Sequence, residues 1–133
     1  RGLHTLGSPL LWSLHLAVLM LALGYLTYAA AALGLADEIA ALHLIGIGAI
    51  GGMTLAMMTR ATLGHSGRPL AADGATALAY GLVAAAALTR ALTTSATPAL
   101  HDGAVLLSGT LWCLAFAIFL ARFWRPLTTP RGR

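Results

Sequence analysis

Four stretches of this chain, Leu10 to Gly34, Ile39 to Thr59, Gly74 to Thr89 and Gly103 to Ala121, contain no Asp, Glu, Lys or Arg. Backbone N–H and C=O groups cannot be left unpaired in hydrocarbon. Apolar segments of this length therefore cross a bilayer as helices, whose hydrogen bonds close within the segment. The expected fold is all-α: a polytopic membrane protein built as a bundle of four transmembrane helices. Composition agrees, with 59% hydrophobic and only 9% charged residues, far from the balance of a water-soluble domain. With 133 residues in all, four spans and their connections use the whole chain, which reads as one unit without a soluble domain.

The breaks between runs carry capping chemistry. Asp37 is placed to cap the second helix and Asp73 the third, while Thr97-Pro98 suits the entry to the fourth, because proline is tolerated in a first turn. The third run is short, so Arg90 is expected to extend its side chain to the headgroups and let the helix continue a few residues further. The single Cys113 excludes an internal disulfide framework.

Arginines orient the bundle, since cytoplasmic flanks of membrane helices accumulate basic residues. Arg1, Arg60, Arg68, Arg122, Arg125, Arg131 and Arg133 fall on one face, against Arg90 alone on the other, where Asp37 and Glu38 also lie. Both ends of the segment are therefore expected in the cytoplasm, with Trp12 and Trp124 near those headgroups and Tyr25 and Tyr28 toward the opposite interface. The net charge of +4 then reflects topology in a lipid bilayer and not nucleic-acid binding.

The histidines separate by depth, because each helical residue advances about 1.5 Å. His43 and His101 share the level of the outer side. His15 and His65 lie near the cytoplasmic side, His65 in the connection after the second helix, and His4 falls in the N-terminal tail. The layers stand on the order of 15 Å apart in a core of about 30 Å, so no single metal takes ligands from both. An imidazole within a membrane helix is a functional-site candidate by default, which puts His43 first.

The residues around His43 admit two readings. Neutral imidazole ligates haem iron and copper, and Gly46, Gly48, Ala49, Gly51 and Gly52 give the flat surface a porphyrin needs. Small residues at this spacing equally serve close helix packing with no cofactor. Gly46 to Gly51 also matches a dinucleotide fingerprint, but no strand precedes it, which excludes a nucleotide site. Met53, Met57 and Met58 offer thioether sulfur suited to Cu(I), or fill gaps in a core. The stretch from Arg60 to Pro69, with Arg68, His65, Ser66 and turn glycines, reads either as an anion cradle suited to propionates or as an ordinary basic loop. His101-Asp102 is a weaker pairing, since adjacent helical side chains diverge.

From His43-Leu44-Ile45-Gly46, through Gly51-Gly52-Met53-Thr54-Leu55-Ala56-Met57-Met58-Thr59-Arg60, to Leu63-Gly64-His65-Ser66-Gly67-Arg68-Pro69-Leu70, the sequence resembles the signature of the NnrS family, and Leu14-His15-Leu16 extends the likeness. The resemblance implies a bacterial inner-membrane protein that binds haem and copper and acts in the response to nitric oxide or in denitrification-linked metabolism. It strengthens the metal reading of His43 and His65 and implies nitric oxide as a small-molecule ligand; the candidate cofactor-binding residues are His43, His15, His65, Arg60 and Arg68, and the candidate metal ligands His43, His65, Met57 and, outside the matched segment, His101. It further implies that this segment corresponds to the C-terminal four helices of a protein of about twelve, with the preceding helices as partners. Sensing, scavenging and turnover of nitric oxide are all chemically open to such a centre, so catalysis is not assigned. Two alternatives stand beside it: a cofactor-free transporter or assembly subunit, and a b-type cytochrome anchor with histidines paired at matched depth.

Overall fold

The computed structural model describes residues 7–129. They form four helices, each long and apolar enough to cross a membrane: α1 (Pro9–Ala32), α2 (Glu38–His65), α3 (Gly74–Leu92) and α4 (Pro98–Thr128). The described residues contain no strand, as the apolar runs require. His4, Arg1, Arg131 and Arg133 lie outside the described residues.

Local chemistry sets the helix ends. Asp37 accepts the Ile39 N–H at 2.8 Å, and Asp73 accepts both the Thr76 N–H at 2.9 Å and its hydroxyl at 2.8 Å, so both acids cap as expected. Pro98 occupies the first turn of α4, although Thr97 makes no side-chain cap. α1 ends where Gly34 takes φ 74°, letting Leu35 N–H reach the Ala30 carbonyl and Gly34 N–H the Ala31 carbonyl, each at 2.9 Å. α2 ends the same way. Gly67 has φ 69°, and the Arg68 N–H bonds the Leu63 carbonyl at 3.0 Å. Both are Schellman closures, which need a residue that enters the left-handed region without strain.

That second closure corrects the expected boundary. α2 does not stop near Thr59, where charge first appears, but runs on to His65, so Arg60 and His65 are helical and not part of a loop. α4 likewise exceeds its uncharged core at both ends and continues through Pro126. The terminating signal is the left-handed glycine, or the end of the pattern itself, because long basic side chains can reach water from inside a membrane helix.

α2 is not uniform. Between an α-helical start (Glu38–His43) and an α-helical end (Gly52–His65), Leu44–Gly51 forms a π-helix, with i→i+5 bonds and a wider turn, a rare conformation that concentrates at functional sites. Glycines let its neighbours close in. A Cβ on Gly48 would stand 2.9 Å from Met20 Cβ and 3.1 Å from Ala87 Cβ, and one on Gly52 would stand 3.7 Å from Ala17 Cβ. Gly24 of α1 is similarly pressed against Ile45. α2 is thus held between α1 and α3.

α4 packs on α3 and on the Gly52–His65 part of α2, and its backbone makes no close approach to α1 or to Glu38–Gly51, although its Trp112 side chain reaches Gly51. The main core lies toward the Arg60 end, around Leu55, Tyr80, Val83, Ala115 and Phe119, with Trp12 edge-on to Tyr80 at 5.8 Å. Ser108 ties α4 to α3 by donating to the Ala86 carbonyl at 2.8 Å. Interhelical bonds of this kind contribute roughly 0.6 kcal/mol each in membranes. Outward positions such as Leu26 and Leu106 are 67% and 73% exposed, an apolar outer face that only lipid or further apolar chain can cover.

Candidate functional site

Polar side chains gather at the two ends of the bundle. At the first end, His43 sits where α2 passes from its α-helical start into the π segment, and it faces α3. Arg90 of α3 donates from Nη2 to His43 Nε2 across 3.2 Å. A guanidinium is always a donor, so Nε2 is the acceptor and the imidazole is neutral, with its proton on Nδ1. That Nδ1 is buried beside the Ile39 carbonyl without forming a bond of full geometry, and Arg90 Nη1 is buried with no partner. His101 of α4 donates from Nδ1 to the Thr93 carbonyl at 3.4 Å, which holds it beside the end of α3 that carries Arg90.

Arg90 therefore does not reach for headgroups as expected. It turns inward and takes the imidazole atom that a metal would use. Metal-ligating histidines ordinarily donate their second ring N–H to an acceptor, whereas here the second nitrogen receives a bond from a cation. A metal at Nε2 requires Arg90 to withdraw. His43 and His101 share one end of the bundle as their depths imply, His43 bonded to Arg90 and His101 to the Thr93 carbonyl at the end of the same helix.

At the opposite end, His65 in the last turn of α2 lines a groove of about 710 Å³ together with Met58, Thr62, Ser66, Arg68 and the α4 residues Phe119 and Pro126. Its floor is apolar and its rim basic. Arg68 is exposed and Arg60 half-buried, and Arg122 pairs with Asp73 across the same end. Met57 points away, 51% exposed, so the thioether beside His65 belongs to Met58. His15 is exposed on α1, and its Nδ1–H donates to the Leu11 carbonyl at 2.8 Å. This leaves Nε2 with a free lone pair, the arrangement a ligating histidine adopts. Cys113 is exposed on α4. Among the described residues no three His, Cys, Asp or Glu side chains converge as a metal cluster, and haem, which needs only one or two axial ligands, does not require one.

Sequence reasoning did not find Arg90 as a partner of His43, nor Met58 as the groove thioether. An arginine inside the third run was visible as an anomaly, but which way its side chain turns depends on the neighbouring helix. The groove needs Phe119 and Pro126 from α4, whose registration against α2 no local pattern encodes.

Four apolar helices with imidazole and guanidinium groups held among them define a multi-pass helical membrane protein. The family model described as NnrS protein matches residues 1–131. The chain belongs to the NnrS family, which supports a membrane protein connected with the response to nitric oxide. Searches of curated proteins and of solved structures gave no match.

Proposed function

We propose that the chain forms part of a haem- and copper-binding protein of the bacterial inner membrane that acts in the nitric oxide response, corresponding to the C-terminal four helices of a longer bundle. The observation that carries this reading is the single groove shared by His65, Met58 and Arg68. At about 710 Å³ it falls within the range of small-molecule and cofactor sites. An exposed imidazole can serve there as axial ligand, a thioether as soft ligand for Cu(I), and a guanidinium as the planar partner of a propionate. When bound, haem supplies an iron that takes nitric oxide directly, and copper supplies a one-electron partner. The chain's own contribution is to fix His65 at a helix end closed by Gly67, to keep Arg68 at the groove, and to exclude water with Phe119.

His15, with its free Nε2, is a second candidate ligand toward helices outside this segment, and His43 becomes one only with Arg90 displaced. The excess of arginine at the groove end supports a cytoplasmic location for that end and for both ends of the segment. Absorption spectra and metal analysis of the purified full-length protein test the assignment. Wild type is expected to carry haem and copper, and His65→Ala to lose most of the haem while remaining folded. Unchanged haem and copper in His65→Ala removes the ligand assignment, and a colourless, metal-free wild type removes the proposal.

A further inference from the structure

The end of the bundle away from the groove holds a charge without a counter-charge. Arg90 makes its one bond to a neutral imidazole, and its Nη1 is buried and unpaired. The nearby acid is already engaged. Asp37 Oδ1 caps the Ile39 N–H at 2.8 Å, and Oδ2 accepts from the Ser95 hydroxyl at 3.3 Å. Among the described residues the one ion pair is Arg122 with Asp73, at the far end. An unpaired guanidinium within membrane helices is costly and persists where it faces a partner or a ligand pathway.

Three nitrogen-bearing side chains from three helices, His43, Arg90 and His101, are brought together here. The guanidinium opposes a cation at this position. The backbone of α4 makes no close approach to Glu38–Gly51, and Arg90 as a whole is only half-buried. Nitrogen donors with a fixed positive charge that forms no ion pair, beside an Asp37 carboxylate already engaged by the Ile39 N–H and the Ser95 hydroxyl, make a setting for an anion. Arg90's planar fork, with one arm held by His43 and the other unpaired, selects a planar or tetrahedral oxyanion over a spherical halide.

We propose that Arg90, fixed by His43 and flanked by His101, binds a small monovalent oxyanion, either a free ion or the phosphodiester of an anionic lipid entering between α2 and α4. This site lies at the opposite end of the bundle from His65 and stands or falls independently of the haem assignment.

Formate titrated into the full-length protein in nanodiscs, followed by calorimetry, tests it. In phosphatidylcholine discs, formate binds wild type saturably, and Arg90→Gln weakens binding by about tenfold or more, as loss of a charge-assisted bond requires. Arg90→Lys, which keeps the charge without the fork, and His101→Ala bind more weakly than wild type. They serve as the test if Arg90→Gln does not fold. Added phosphatidylglycerol that competes formate away identifies the lipid phosphodiester as occupant, and indifference to it identifies a free anion. No saturable formate binding by wild type in phosphatidylcholine, or equal binding by wild type and the Arg90 variants, overturns the proposal.

Discussion

At the scale of single residues, the glycines of α2 have unequal tasks that their spacing does not reveal. Gly48 is wedged between Met20 and Ala87, while nothing lies within 4 Å of a Cβ on Gly46. Gly48→Ala must push Met20 Cβ, an atom near the backbone that cannot swing aside, and overpacking of this kind costs about 1–3 kcal/mol. Gly46→Ala fills open space and changes stability by less than about 0.5 kcal/mol. Unfolding midpoints of the two variants in one detergent check this, and equal midpoints would show that α1 and α3 are not held by contact at Gly48. The same contrast settles much of the ambiguity between a packing surface and a porphyrin surface. Gly48 and Gly52 already have helices against them.

At the scale of the element, the π segment determines where His43 points. Its wider turn changes the angular relation between the start of α2 and its end, and so brings His43 opposite Arg90. Deleting Gly46 is expected to return the segment toward regular α-helix and to rotate Glu38–Ile45 by about 100° relative to the rest of α2. The His43–Arg90 bond then breaks, while the His65 groove, on the far side of the deletion, is kept. The ¹⁵N chemical shifts of His43 in labelled protein read the outcome: an Nδ1–H tautomer in wild type and a changed pattern in the deletion. An unchanged pattern would mean that the segment does not set the ring's direction. Helix ends were readable in advance where a side chain or glycine fixes them, as at Asp37, Asp73 and Gly34. The π turn was not, because Leu44–Gly51 carries the same apolar run as an ordinary helix and differs only in what it packs against.

At the scale of the molecule, charge is distributed unevenly between the two ends. Arg60, Arg68, Arg122 and Arg125 lie at one end and Arg90 near the other, and the proposed cytoplasmic location of the arginine-rich end rests on the bias toward basic cytoplasmic flanks. A membrane-impermeant thiol reagent applied to intact cells is expected to label Ser95→Cys and not Ser66→Cys, in a background where Cys113 is replaced. The reverse pattern would invert the bundle and place the groove outside. The backbone of α4 meets α3 and half of α2 but not α1, and His15 is exposed on α1, where further helices or lipid can approach.

The amino-acid sequence determined by itself that this segment carries four membrane-spanning helices, where most of them begin, how charge divides between its ends, and, through contiguous motif residues, its family. These are properties of local composition and spacing, and hydrocarbon enforces them on any apolar run of sufficient length. The tertiary structure alone decided that Arg90 turns inward to His43, that Met58 rather than Met57 accompanies His65, and that Gly48 is a contact while Gly46 is open. Each of these depends on which face of one helix meets another, and that is set by packing between segments distant in the chain, a relation no window of sequence contains.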